Sequence, residues 1–106
     1  MNHTPITLAY ARTPLARLRG LLGKRGLPTG HGLVIVPCNA IHTRGMKFAI
    51  DVRFFNKHGH LVRTCTDIPP GKWFVWGGFN AHYVLETQAG DPSFSQLTQL
   101  KDSAHD

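Results

Sequence analysis

The longest clean alternation of apolar and polar residues in the chain runs from Lys47 to Phe55. Phe48, Ile50, Val52 and Phe54 fall on one side of a period-two pattern, and Lys47, Ala49, Asp51, Arg53 and Phe55 on the other, which predicts a strand. Asn56-Lys57-His58-Gly59 reads as a turn, with Gly59 suited to the left-handed position of a hairpin loop. His60 to Thr66 is the returning strand. Pairing Asn56 with His60 sets Phe54 opposite Val62 and Val52 opposite Thr64, which gathers the apolar sets. It also sets Arg53 opposite Arg63, with Asp51 the nearest compensating charge.

The remaining elements are packing partners for this hairpin. Ile6 to Ala9 is a short strand. Thr13-Pro14 opens a helix, because Thr is a favoured N-cap and Pro fits the first helical position, where its missing N–H has no partner anyway. Leu15, Leu18 and Leu22 recur at helical spacing and form one apolar face, with Arg17 projecting away from it. Gly23 or Gly26 is the expected stop. Gly20, inside the helix, suggests close packing against another backbone. Leu33 to Val36 is a continuous apolar run of strand length, expected to be buried on both faces, and Pro37 ends it. Pro69-Pro70-Gly71-Lys72 is a rigid loop before the aromatic run Trp73 to Trp76. Tyr83 to Glu86 is a further strand, closed by Gly90. Phe94, Leu97 and Leu100 are spaced for a weak helical turn or two.

These elements predict an α+β fold, mainly antiparallel β, with a small curved sheet or barrel-like arrangement and one short helix from Pro14 to Leu22 covering an opening. Residues 1–90 are expected to form one globular β-rich domain, and residues 91–106 a polar C-terminal tail that is partly ordered at best.

Composition narrows the class. At 106 residues the chain has room for one domain. A hydrophobic content of 42% and a charged content of 17% exclude a disordered chain. No apolar run is long enough to span a membrane, and the N-terminus lacks the basic-then-apolar pattern of a secretory signal, so the expected location is cytoplasmic. Two cysteines, Cys38 and Cys65, are too few for a disulfide framework and read as buried free thiols. The net charge is +6, and the first fifty residues hold seven Lys or Arg and no Asp or Glu. That asymmetry allows an anionic partner, although no nucleic-acid motif accompanies it.

Several short motifs occur in a telling order: Arg19-Gly20-Leu21-Leu22, Gly32-Leu33, Ile41-His42-Thr43 with Met46, Ile50-Asp51-Val52 with Phe54, Gly59, and Val84-Leu85-Glu86 with Gly90. In order and spacing the chain resembles the domain of unknown function 192 family from about residue 12 to residue 90. The resemblance implies a small, compact bacterial or archaeal domain, mainly β with a short helix. It brings no established activity.

Candidate chemistry clusters beside the long strand. His42 lies at a strand end before a Gly45 turn, where it serves as a base, a ligand-orienting donor or the pin of a turn. Thr43 adjoins it. Asp51 interrupts an apolar strand, either to orient His42 or to accept structural hydrogen bonds and ion pairs. Cys38, His42 and Asp51 have the chemistry of a nucleophile, base and orienter, but a triad is defined by geometry that spacing does not give. The pairs Cys38 with His42 and His58 with His60 fall short of a zinc site's usual four ligands, so no metal or other cofactor is expected. Trp73, Phe74, Trp76 and Phe79 form a stacking surface or, more plainly, close the core. Glu86 either pairs with a basic residue or lines the same cleft as His42. The leading expectation is a non-enzymatic domain that binds a small molecule or peptide at His42, Thr43, Asp51, Cys38, Trp76 and Glu86. A small hydrolase or transferase using His42 as base, and a basic nucleic-acid-binding domain, are the alternatives.

Overall fold

The computed structural model of the chain describes residues 5–71 and 74–101. Lys72, Trp73 and the last five positions of the tail lie outside the described residues. The strands are β1 (Thr7–Ala11), β2 (His31–Ile35), β3 (Ala40–Ile41), β4 (Ile50–Asn56), β5 (Leu61–Ile68), β6 (Val75–Trp76) and β7 (Ala81–Gln88), with helix α1 (Pro14–Arg19) between β1 and β2.

Five strands form one sheet in the order β1-β2-β7-β4-β5, and β3 pairs with β6 alone. β1 runs parallel to β2, and the other pairings are antiparallel. Parallel neighbours need a long crossover, and the segment carrying α1 supplies it. The sheet is therefore mixed, mostly antiparallel and open, with β1 and β5 as its edges.

β4 is buried from Ile50 through Phe55 rather than on one side only. It lies between β5 and β7, and each sheet face carries its own core. Ile50, Val52 and Phe54 pack with Ile35 and Val84 on the first face. Phe55 packs with Val34, Tyr83 and Leu85 on the second. Phe94 and Leu100 complete the second core. Asp91 ties this segment down: one carboxylate oxygen accepts from Gly30 N at 2.9 Å and the other from Ser93 N at 2.9 Å. Burial pushes this carboxyl up, but the hydrogen bonds from Ser93 and Gly30 and the nearby charge of Arg53 hold it below its ordinary value. Leu100 N donates to Gly59 O at 2.7 Å, and Leu61 N donates to Thr98 O at 2.9 Å. Gly59 has φ of 85°, and a Cβ there would strike the Leu100 carbonyl, so a glycine is needed both by the turn and by the segment packed on it.

The hairpin closes as expected at Asn56, whose N–H donates to His60 O at 2.8 Å, but its register then changes. Phe55 pairs with Leu61 and Phe54 with Arg63, which leaves Val62 as the extra residue of a bulge, 42% exposed. Arg53 consequently faces Thr64, and the Arg53–Arg63 pairing does not form.

α1 begins at Thr13, whose Oγ1 accepts from Ala16 N at 3.1 Å. It ends earlier than expected, at Gly20, with φ of 49° and its N–H donating to Ala16 O at 3.0 Å. None of its residues is buried. Leu15 and Leu18 are 75% and 70% exposed, so the anticipated apolar face does not meet the core. Leu21, in the turn after the helix, inserts there instead. No helix among the described residues is long and apolar enough to cross a membrane.

Candidate functional site

β7 lies between β2 and β4, and Glu86 is set near its C-terminal end, registered with Leu33 on one side and Val52 on the other. Alternation along the strand puts Glu86 on the same face as Val84, the face that α1 covers only in part. Leu21, Ile35, Ile41 and Met46 supply apolar walls to a cavity of about 340 Å³, and Glu86 lies at its buried end. His42 and Arg19, both exposed, also line it, together with the half-buried Arg17 and Cys38.

Glu86 is 3% exposed. Among the described residues no hydrogen bond or ion pair reaches its carboxyl. Burying a carboxylate away from water without a partner penalises the charged form, and here desolvation pushes the group up to about 7. Near neutrality the site therefore holds a carboxyl that shifts readily between acid and carboxylate. A polar group of that kind at the end of an apolar cavity marks a candidate binding or catalytic position.

Cys38 lines the same cavity, with its thiol 2.9 Å from the carbonyl oxygen of Ala40. Burial pushes this thiol up from its ordinary value, so it is held as a thiol rather than as an activated thiolate. Arg17 fixes one guanidinium nitrogen on the Arg12 carbonyl at 2.9 Å.

The other anticipated site residues go elsewhere. β4 pairs regularly with β7 from Ile50 to Phe55, so Asp51 points to the second face while Ile50 and Val52 point to the first. Its Oδ1 accepts from Asp67 N at 2.7 Å and its Oδ2 from Gly90 N at 3.0 Å. Asp51 is thus a clip joining the irregular end of β5 to the turn after β7. It does not orient His42, and the Cys38–His42–Asp51 triad does not form. Thr43 is fully buried, and its Oγ1 donates to the Pro69 carbonyl at 2.9 Å. The Thr43 carbonyl accepts from Met46 N at 3.1 Å and Gly71 N at 3.0 Å, so this residue fastens two loops. Trp76 lies opposite Ala40 in the β3–β6 pair and meets Phe79 edge-on at 4.8 Å between ring centres. Phe74, Trp76 and Phe79 are 61%, 39% and 89% exposed, so these three rings form an outer surface and do not close the core. Among the described residues no cluster of three or more His, Cys, Asp or Glu could hold a metal ion.

His42, Cys38 and Glu86 are therefore brought together, and Thr43, Asp51 and Trp76 are not. Arg17 and Arg19 were missed as cavity residues. On a helical wheel they look like solvated charges, and no local pattern shows that this helix lies over a cavity.

An open mixed sheet with a partnerless carboxyl in a helix-side cavity describes a small β domain with a preformed pocket. By sequence the chain belongs to the domain of unknown function 192 family, described as Uncharacterized ACR, whose pattern it matches over residues 1–99. A protein of unknown function from Novosphingobium aromaticivorans DSM 12444 has a similar fold, with a TM-score of 0.77 at 16% identity, over 89% of this chain and 71% of that one. A candidate transcription regulator from Sinorhizobium meliloti 1021 is similar with a TM-score of 0.76 at 21% identity, over 87% of this chain and 74% of that one. No curated protein matches the chain.

Proposed function

We propose that this chain is a binding domain for a small ligand or a peptide end, held in the cavity beneath α1 with its polar group at Glu86. One observation carries the reading: Glu86 is buried in the described structure with no partner for its carboxyl. An isolated buried carboxyl is costly to keep, and a ligand that supplies the missing hydrogen bonds would recover that cost on binding. Apolar walls and a few convergent polar groups are the ordinary make-up of such sites.

The test uses the two cysteines. Cys38 lines the cavity, and Cys65 lies outside it, beside Phe74 and Trp76. In a Cys65→Ser background, small molecules that raise thermal stability are expected to slow alkylation of Cys38 by a small thiol reagent. Ligands that stabilise the protein while leaving Cys38 equally reactive would place binding elsewhere.

An enzymatic reading has one observation in its favour. A carboxyl pushed to about 7 is poised to give and take protons at neutral pH, so Glu86 rather than His42 would be the acid–base group. Its mark would be turnover of a bound ligand that Glu86→Gln abolishes while binding persists. The label carried by the Sinorhizobium protein and the basic N-terminal half suggest a third role in nucleic-acid binding. Failure to be retained on a polyanion column at low salt would remove it.

A further inference from the structure

We infer that the ligand of this cavity is a zwitterion with separated charges: an ammonium group at Glu86, an anionic group at Arg17 and Arg19, and an apolar segment between them. The inference rests on the binding role proposed above and specifies its chemistry.

The inner end is the more constrained. Among the described residues Glu86 is the acidic residue of the lining, and its register neighbours Leu33 and Val52 are apolar. The other ionisable groups around the cavity are Cys38 beyond β2, Arg17 and Arg19 of α1, and His42 after β3. A neutral ligand head would leave the carboxyl protonated and offer it only neutral hydrogen bonds, and an anionic head would repel the carboxylate. An ammonium group neutralises it and offers charge-assisted hydrogen bonds, the strongest kind available there.

The outer end carries the opposite sign. A bare cation in the cavity would gain nothing from the two arginines of its lining. A carboxylate or phosphate on the same molecule converts both into favourable contacts, and the guanidinium fork suits either group. Leu21, Ile35, Ile41 and Met46 of the same lining match methylene groups, each contributing roughly fourfold to affinity when buried.

Calorimetric titration with ε-aminocaproate, hexylamine, hexanoate and hexanol tests each part. ε-Aminocaproate should bind tightest, hexylamine more weakly, and the two molecules without an amine weakest. Glu86→Gln should cost ε-aminocaproate and hexylamine tenfold or more while changing hexanoate less than about twofold. Arg17→Gln should narrow the advantage of ε-aminocaproate over hexylamine. Affinity for both amines should rise about tenfold between pH 6 and pH 8, as Glu86 ionises around 7; the rise should survive His42→Gln and vanish in Glu86→Gln. Equal binding of hexanol and ε-aminocaproate, or indifference to Glu86→Gln, overturns the zwitterion and leaves the cavity as a binding site. So does a panel that fails while other ligands protect Cys38. If no ligand protects Cys38, the binding role falls first.

Discussion

Two carboxylates in neighbouring positions of paired strands meet opposite fates. Asp51 on β4 is registered with Thr87, and Glu86 on β7 with Val52, one step along the same ladder. Both are buried, at 5% and 3% exposure. Asp51 points to the second face and accepts two backbone N–H groups. Glu86 points to the first and accepts none among the described residues. A one-residue step along a strand reverses the face, and the face decides whether a carboxylate finds donors or a cavity. Asp51 has the profile of a residue kept for the fold. Glu86 works against the fold when ionised, a cost that the proposed ligand would offset.

Asp51→Ala removes the acceptor of two charge-assisted hydrogen bonds, each worth about 1.5–3 kcal/mol, so urea unfolding should show a loss of about 3 kcal/mol or more at neutral pH. A loss below about 1 kcal/mol would mean that the clip is incidental.

Glu86 should behave in the opposite way. Its folded value, near 7, is above its ordinary value of 4.5. The folded state therefore holds its proton more tightly than the unfolded state. The contribution is fully present below about pH 4.5 and is lost as pH rises to about 7. At 1.36 kcal/mol per unit the loss amounts to about 3 kcal/mol. Glu86→Gln should remove that decline, so the variant is expected to match or exceed wild-type stability at pH 8. A wild-type minus variant difference that is flat from pH 4 to pH 8 would show that Glu86 has a partner after all.

The smallest effect is expected on α1. Leu18 is 70% exposed yet lines the cavity. Leu18→Ser should cost less than about 0.5 kcal/mol of stability, while weakening any ligand that fills the cavity. An equal loss in both measurements would make the helix an ordinary part of the core.

Much of the secondary structure could be read in advance. The alternation from Lys47 to Phe55 gave most of β4, the run from Leu33 to Val36 gave most of β2, and Thr13-Pro14 gave the start of α1. What misled was amphipathicity taken alone. Leu15 and Leu18 have the spacing of a core face, but the helix stops at Gly20 and Leu21 takes the buried position. The bulge at Val62 was likewise hidden, because a hairpin register counted from its turn assumes an unbroken ladder. Phe94 looked like part of a polar tail and lies fully buried, since a local pattern does not reveal that a segment folds back across a sheet face.

Local pattern was enough for the period of the longer elements, the hairpin turn before Gly59, the family, and a short set of residues unusual enough to carry chemistry. Tertiary structure decided which of them meet. His42, Cys38 and Glu86 come together from three separate segments, while Asp51, whose surroundings in sequence look equally apolar, is turned to the other face. The reason is physical: burial and hydrogen-bond satisfaction depend on what lies across the sheet and over its faces. Residues distant in the chain supply those neighbours, and no local pattern contains them.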